Sequence, residues 1–544
     1  EVRDQPDDAD FDTLDGGASV RWMTDAAPSF GAIGPSHVDP RSGEILGANV
    51  GIQSLSSRSL RASRAQILNA SVGDFGRMMQ TGIENHEARG DEPLDERACA
   101  NADQAAEQLS YAIDVLAARG ELDPNGPEAQ QFVLDYLKDT TMHEVGHTLG
   151  LRHNFRASRL RTDAQLSDPE FTRSQALTGS VMEYAPINLA SAGAPPVAPF
   201  QSTLGPYDLW AIEFAYRPIE PAMERAELAR IAARSIEPEL AFGTDEDNYL
   251  GIDPDALHFD LGDDPLVFAR KRIEIARDLL KRQEHRSLAS DGSYAVLRRS
   301  LNFAINDTAR AVGMLARQIG GVRTLRDHPG SGRDPLQPVA ASVQREALEL
   351  LSHGLFAADS LVVSPALQRR LAPDFQERAE ALERGGSPVA TDYSLTQRVL
   401  TVQRALLTQL MSDAVAARVL DSQGKAARGE EAFQLSELYG RLVRDIWIEV
   451  EDIRPNRARP DIPAPRRALQ REHLNRVAEL LLRPSASGRA DARSLVRTQA
   501  QGLLVQLDAA AKRKAFNADT RAHLLDSADT LRQALMAPVV RTRI

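Results

Sequence analysis

The sequence predicts an α+β chain. A small mixed sheet and one histidine-bearing helix fall within about the first 260 residues, and the remainder is almost wholly helical. Three observations carry this. Extended, turn-punctuated segments cluster between residues 18 and 53. A helix-period run from Pro127 leads into TTMHEVGHTLGLRHNF, residues 141–156. Beyond about residue 260, helical spacing continues to the end with two looser joints. The implied division is an acidic lead-in over 1–17, a sheet-bearing domain over 18–260 and a helical C-terminal part over 261–544. A chain of 544 residues exceeds one compact domain, so roughly two to four are expected.

Taken in order, ASVRWMT (18–24) has strand character, and FGAIGPSHVDPRSGEILGANVGIQ (30–53) reads as two strands around a turn made by Pro40 and Gly43. Helical spacing takes over from Arg58 to about Arg89. A further helix is expected over about 95–119, ending at Gly120. The next starts near Pro127, with Phe132, Val133, Tyr136, Leu137 and Met142 at helical spacing, and stops at Gly150. Residues 157–206 are loop-rich, GPYDLWAIEFAYRPI (205–219) reads as a helix, and 242–266 is a Gly/Asp/Pro-rich connector.

Composition excludes several classes. The net charge of −13 argues against a nucleic-acid binder, which would carry a basic face. There is no run of 18 apolar residues, so no membrane span is expected. The single cysteine, Cys99, rules out an internal disulfide and a cysteine-based zinc site. Its polar, helical surroundings read as those of a partly buried small residue. TDEDNYLGIDPD (244–255) is dense in carboxylates and is a calcium candidate. It lacks EF-hand spacing, and a solvated acidic loop is the favoured reading.

Three of the chain's 11 histidines fall within residues 143–153. His143 and His147 stand at i and i+4, on one helix face, where two imidazoles grip a single ion. Glu144 points off the ligand axis yet stays beside the metal, where a general base for a zinc-activated water stands. Gly150 permits a left-handed turn that brings His153 back to the same ion. Three neutral imidazoles and one open position make a catalytic zinc site.

HEVGHTLGLRH resembles the metzincin signature H-E-x-x-H-x-x-G-x-x-H. SVMEYAPIN (180–188) is similar to the family's Met-turn, which implies that Met182 forms a floor under the zinc and is not a ligand. The astacin-like and serralysin-like members imply that Tyr184 is a candidate transition-state donor, a packing tyrosine being the alternative. With WMTDAAPSFGAIGPSHVDPRSGEILGANV, HNFRAS and GPYDLWAIEFAYRPI, the chain resembles a bacterial family of multidomain zinc metalloproteases. That resemblance implies a metzincin-like catalytic domain and a periplasmic or secreted location. Metzincin domains begin with a strand and a long backing helix, whereas VRWMT looks like a later strand. The resemblance therefore allows that both lie upstream of Glu1 and that this is a truncated member.

The expected function is a zinc metalloendopeptidase acting on a peptide or protein substrate, with Glu144 as general base and then acid. The substrate is expected to add as a strand to a sheet edge, with ILGANVGIQ (45–53) as the candidate edge and an interior strand as the alternative. The rival readings are a non-catalytic zinc-containing peptide-binding protein and an assembly module built on the helical half. No oligomeric state is indicated.

Overall fold

The computed structural model describes residues 18–24, 32–53, 101–124, 126–249, 251–375, 390–426, 429, 431–451, 461–482, 488–513 and 516–537. The expected lead-in over 1–17, the helical spacing over 58–89 and Cys99 lie outside these residues. The described chain forms two compact units. The first lies within 18–244 and 261–263, and the second within 245–260 and 264–537.

In the first unit a four-stranded sheet is built around its longest strand. Strands β1 (Ala18–Met23), β2 (Ala32–Ile33), β3 (Ser36–Val38) and β4 (Ile45–Gln53) are all short except the last. β1 runs parallel to β4, with Ala18 beside Ala48 and Met23 beside Gln53. β2 and β3 run antiparallel to β4, pairing Ala32 with Ile52 and Ser36 with Ala48. A turn over 39–44 closes the β3–β4 hairpin, and Gly43 takes φ +79° there, a conformation that costs a residue without Cβ nothing.

The sheet corrects one expectation. ILGANVGIQ is not an edge, because β4 is paired on both sides. The reason is that AIGPSHV folds back on it as two short strands interrupted at Gly34–Pro35, where proline removes a ladder donor. Among the described residues the strip Ala32–Val38 therefore borders the sheet, opposite β1.

One sheet face is buried by helix. Ala32, Val50 and Ile52 form a core cluster with Leu137 packed against it. Leu137 belongs to α2 (Pro127–Thr148), which follows α1 (Asn101–Arg119). Pro127 suits the first turn of α2, where no intrahelical donor is needed. At the other end Leu151 N–H bonds Gly146 O at 3.1 Å and Gly150 N–H bonds His147 O at 2.9 Å, a Schellman stop with Gly150 at φ +84°. Beyond it the chain is mostly irregular until α3 (Pro206–Tyr216) and α4 (Glu224–Ala232).

The second unit is helical. α5 (Pro265–Gln283) and α6 (Ala295–Gln318) pair along their lengths. Arg272 and Asp307 face each other across that pair at 2.6 Å, both buried. A two-stranded ribbon follows, with β5 (Val322–Thr324) antiparallel to β6 (Leu336–Pro338). The remaining long helices are α7 (Ala341–Leu351), α8 (Leu395–Leu410), α9 (Asp413–Gln423), α10 (Leu435–Ile446), α11 (Ala464–Leu482), α12 (Ala490–Ala511) and α13 (Ala518–Met536). Trp447 is fully buried among α11 and α13, stacked on His523 and donating to His473 Nδ1 at 3.2 Å. Among the described residues no helix is long and apolar enough to cross a membrane.

Candidate metal centre

The three histidines converge. The ligand atoms of His143, His147 and His153 lie within 4.8 Å of one another. His143 and His147 project from the last two turns of α2, and the Gly150 stop returns the chain so that His147 Nε2 and His153 Nε2 face each other at 3.1 Å. Two nitrogens of a tetrahedral zinc site, each about 2.0–2.1 Å from the ion, would stand about 3.3 Å apart. The cluster already has nearly that spacing.

Tautomer decides whether such a cluster can hold a metal. His143 Nδ1 lies 2.7 Å from Val181 O, and His147 Nδ1 lies 3.0 Å from Leu151 O. A carbonyl only accepts, so each Nδ1 carries the proton and each Nε2 presents a lone pair to the cluster. Backbone carbonyls thus orient two imidazoles as outer partners of a metal site do. Burial, and then the two neighbouring histidines, hold His143 well below the ordinary histidine pKa. It is therefore neutral, as a ligand must be. The donor set fits zinc, which takes neutral imidazoles in tetrahedral array.

Around this cluster the packing is tight. Glu144 is fully buried, and Gly34 of the bordering strip sits against its backbone carbonyl so closely that a Cβ there would overlap it. Met182 is fully buried beneath α2, with its sulfur against Gly146, which likewise leaves no room for a Cβ. Tyr184 Oη lies 2.9 Å from His153 Nε2. The Phe155 ring stacks on His153 at 5.3 Å and meets Tyr184 edge-on at 5.2 Å. The structure thus brings together His143, Glu144, His147, His153, Met182 and Tyr184, all six residues singled out by sequence.

Several positioning residues were not legible in the sequence. Asp208 is buried at the start of α3 and accepts from Ser180 Oγ at 2.6 Å, Val181 N–H at 3.0 Å and Gly205 N–H at 2.8 Å. It braces the turn that carries Val181 O and Met182. Asn154 donates to Ala241 O at 3.0 Å and accepts from Gly243 N–H at 3.2 Å, while its own N–H bonds Met182 O at 3.0 Å. Glu183 accepts from Ser158 N–H at 2.9 Å. GPYD does signal a helix start with an acid in its first turn. That the same acid serves a turn 28 residues upstream has no signal in the sequence.

The acidic segment 244–255 makes no comparable site. Asp253 accepts from Thr324 N–H and Thr324 Oγ1, both at 2.8 Å, and Asp255 pairs with Arg323 at 2.7 Å. Among the described residues only the three histidines bring three or more metal-ligating groups together. Those carboxylates serve the fold of the second unit.

A tri-histidine cluster at a helix end, two of its members buried, with a carboxylate beside it and a methionine beneath it, belongs to the class of zinc metallopeptidases. The family described as Met-zincin matches residues 125–453, more than half of the chain, and the chain belongs to that family. No curated protein matches the chain, and no solved structure does.

Proposed function

We propose that the chain is a zinc metalloendopeptidase that holds one zinc ion on His143, His147 and His153 and hydrolyses peptide bonds with Glu144 as general base and acid. The observation that carries this is the shared tautomer of His143 and His147, whose Nδ1 protons are spent on backbone carbonyls so that both Nε2 lone pairs face His153. Zinc, when bound, supplies Lewis acidity, lowering the pKa of water towards about 7 and polarising the scissile carbonyl.

The chain's own residues do the rest. Glu144 takes the proton of the attacking water and delivers it to the leaving amine. Its burial keeps bulk water from competing for that proton. Tyr184, within reach of His153, donates to the oxyanion as it forms. Met182 is the floor of a Met-turn, and Gly146 admits its sulfur under the helix. The substrate lies extended along the Ala32–Val38 border, which Gly34 brings against Glu144. The first compact unit, within 18–244 and 261–263, is the catalytic part, and the second is the helical part. A bacterial source and a periplasmic or secreted location belong to the same proposal and rest on the family resemblance.

The test is metal content together with cleavage of a broad peptide library, for the parent and Glu144→Ala. One zinc per chain with Glu144-dependent cleavage within peptides supports the reading. One zinc with no cleavage favours a peptide-binding protein, and no zinc overturns both.

A further inference from the structure

Two of the three imidazoles stand on a rigid element and the third does not. His143 and His147 project from α2 and are oriented by the carbonyls of Val181 and Leu151. His153 follows the Gly150 stop, where the chain leaves the helix, and Tyr184 lies in the irregular stretch beyond. Side chains on such segments keep a fixed place only if their neighbours hold them.

Phe155 packs against both. Its ring is fully buried. It lies 24° from the plane of the His153 imidazole with centroids 5.3 Å apart, and it meets the Tyr184 ring at 62° and 5.2 Å. His153 and Tyr184 meet at 64° and 4.6 Å, so each of the three rings packs on the other two. These are the offset and edge-on arrangements that aromatic rings favour. The backbone fixes Phe155 in turn. Its N–H donates to Gly243 O at 2.6 Å, and Asn154 beside it bonds Ala241 O and Gly243 N–H. Phe155 is thus a wall against which the third imidazole and the tyrosine are set, with Tyr184 Oη 2.9 Å from His153 Nε2. A leucine or methionine would fill much of the same space without a flat face for either ring.

We propose that Phe155 is a positioning residue of the reaction, one that keeps His153 Nε2 turned into the histidine cluster and the Tyr184 hydroxyl beside it. The inference rests on the peptidase reading above and extends it to a side chain with no polar atom. Without the ring, both partners keep their place in the chain but gain freedom to turn about their side-chain bonds. They then spend less time at the geometry that metal binding and oxyanion stabilisation need. A misplacement of about 1 Å can cost about 10²-fold in rate.

The test compares the full parent chain with Phe155→Leu, Phe155→Met and Phe200→Leu. Phe200 is a buried phenylalanine of the same unit that packs on Tyr136. Competition with a chelator reads zinc affinity, and the absorption spectrum of the cobalt(II)-loaded chain reads ligand geometry. Phe155→Leu is expected to weaken zinc binding by about tenfold or more, as loss of an outer partner does, and to change the cobalt spectrum. Phe155→Met, the milder change, gives the reading if Phe155→Leu does not fold. Phe200→Leu is expected to lower the melting temperature and leave both readouts unchanged. Unchanged zinc affinity in the Phe155 variants, or an equal loss in Phe200→Leu, overturns the proposal. At saturating zinc, Phe155→Leu is expected to lower kcat about tenfold with KM unchanged. In a Tyr184→Phe background the same change is expected to cost less than about twofold, because the hydroxyl it positions is gone. Equal factors in the two backgrounds overturn the hold on Tyr184. If the parent binds zinc and cleaves nothing, the peptidase reading fails, and zinc affinity with the cobalt spectrum still decides whether Phe155 positions His153.

Discussion

At the residue scale, the three imidazoles and their outer partners carry different loads. His143→Ala removes a buried ligand, so zinc affinity should drop by more than the roughly 10–100-fold that loss of an outer partner costs. Zinc titration against a competing chelator measures it. Glu144→Gln keeps the volume and the ligands, so zinc content should hold while kcat/KM falls by about 10²–10⁴. Tyr184→Phe should lower kcat and leave zinc affinity nearly unchanged, whereas equal activity would make Tyr184 a packing residue. Asp208→Ala removes the acceptor that Val181 N–H and Gly205 N–H share. An unsatisfied buried donor costs about 1–3 kcal/mol. Chemical denaturation should show that loss, and zinc affinity should fall with it, because Asp208 holds the turn that orients His143.

At the element scale, two glycines let separate elements approach α2. Gly34 allows the bordering strip to lie against the Glu144 carbonyl, and Gly146 allows Met182 beneath the helix. Gly34→Ala must part strip and helix, and overpacking of this kind costs about 1–3 kcal/mol. Cleavage by Gly34→Ala should fall more than zinc affinity does, because the histidines stand on α2 and beyond it. Equal losses of both would show that the strip supports the metal site itself. In the second unit, burial pushes His473 and His523 down to about 4. In the unfolded chain both titrate near the ordinary 6.5. Between those values the unfolded chain binds protons that the folded unit refuses. Stability from these two groups is therefore complete above pH 6.5 and is lost as pH falls through about 4. Thermal melts from pH 7 to 4 should show a decline for the parent and a shallower one for His523→Gln.

At the scale of the whole molecule, the residues that would hold a metal lie in one unit only. All three histidines and the groups that orient them belong to the first compact unit, and the second contributes none among the described residues. Zinc at about 100 times its dissociation constant should stabilise the unit that binds it by about 2.7 kcal/mol. Calorimetry with zinc and then with chelator should move one melting transition and leave a second in place. If both transitions moved together, the two units would unfold as a single cooperative block.

The sequence by itself singled out the three histidines that converge, the stop at Gly150, Met182 and Tyr184, and the α+β class with its helical remainder. These signals are local: i and i+4 spacing, a glycine at a helix end and apolar periodicity each act within a few turns of chain. Tertiary structure decided which strand borders the sheet, because ILGANVGIQ reads the same whether or not AIGPSHV folds back on it. It also decided that Asp208 braces the turn at Ser180 and that Gly34 meets Glu144. Such contacts join residues far apart in the chain, and their partners are chosen by packing and by the need of buried donors to find acceptors. No spacing rule encodes that choice.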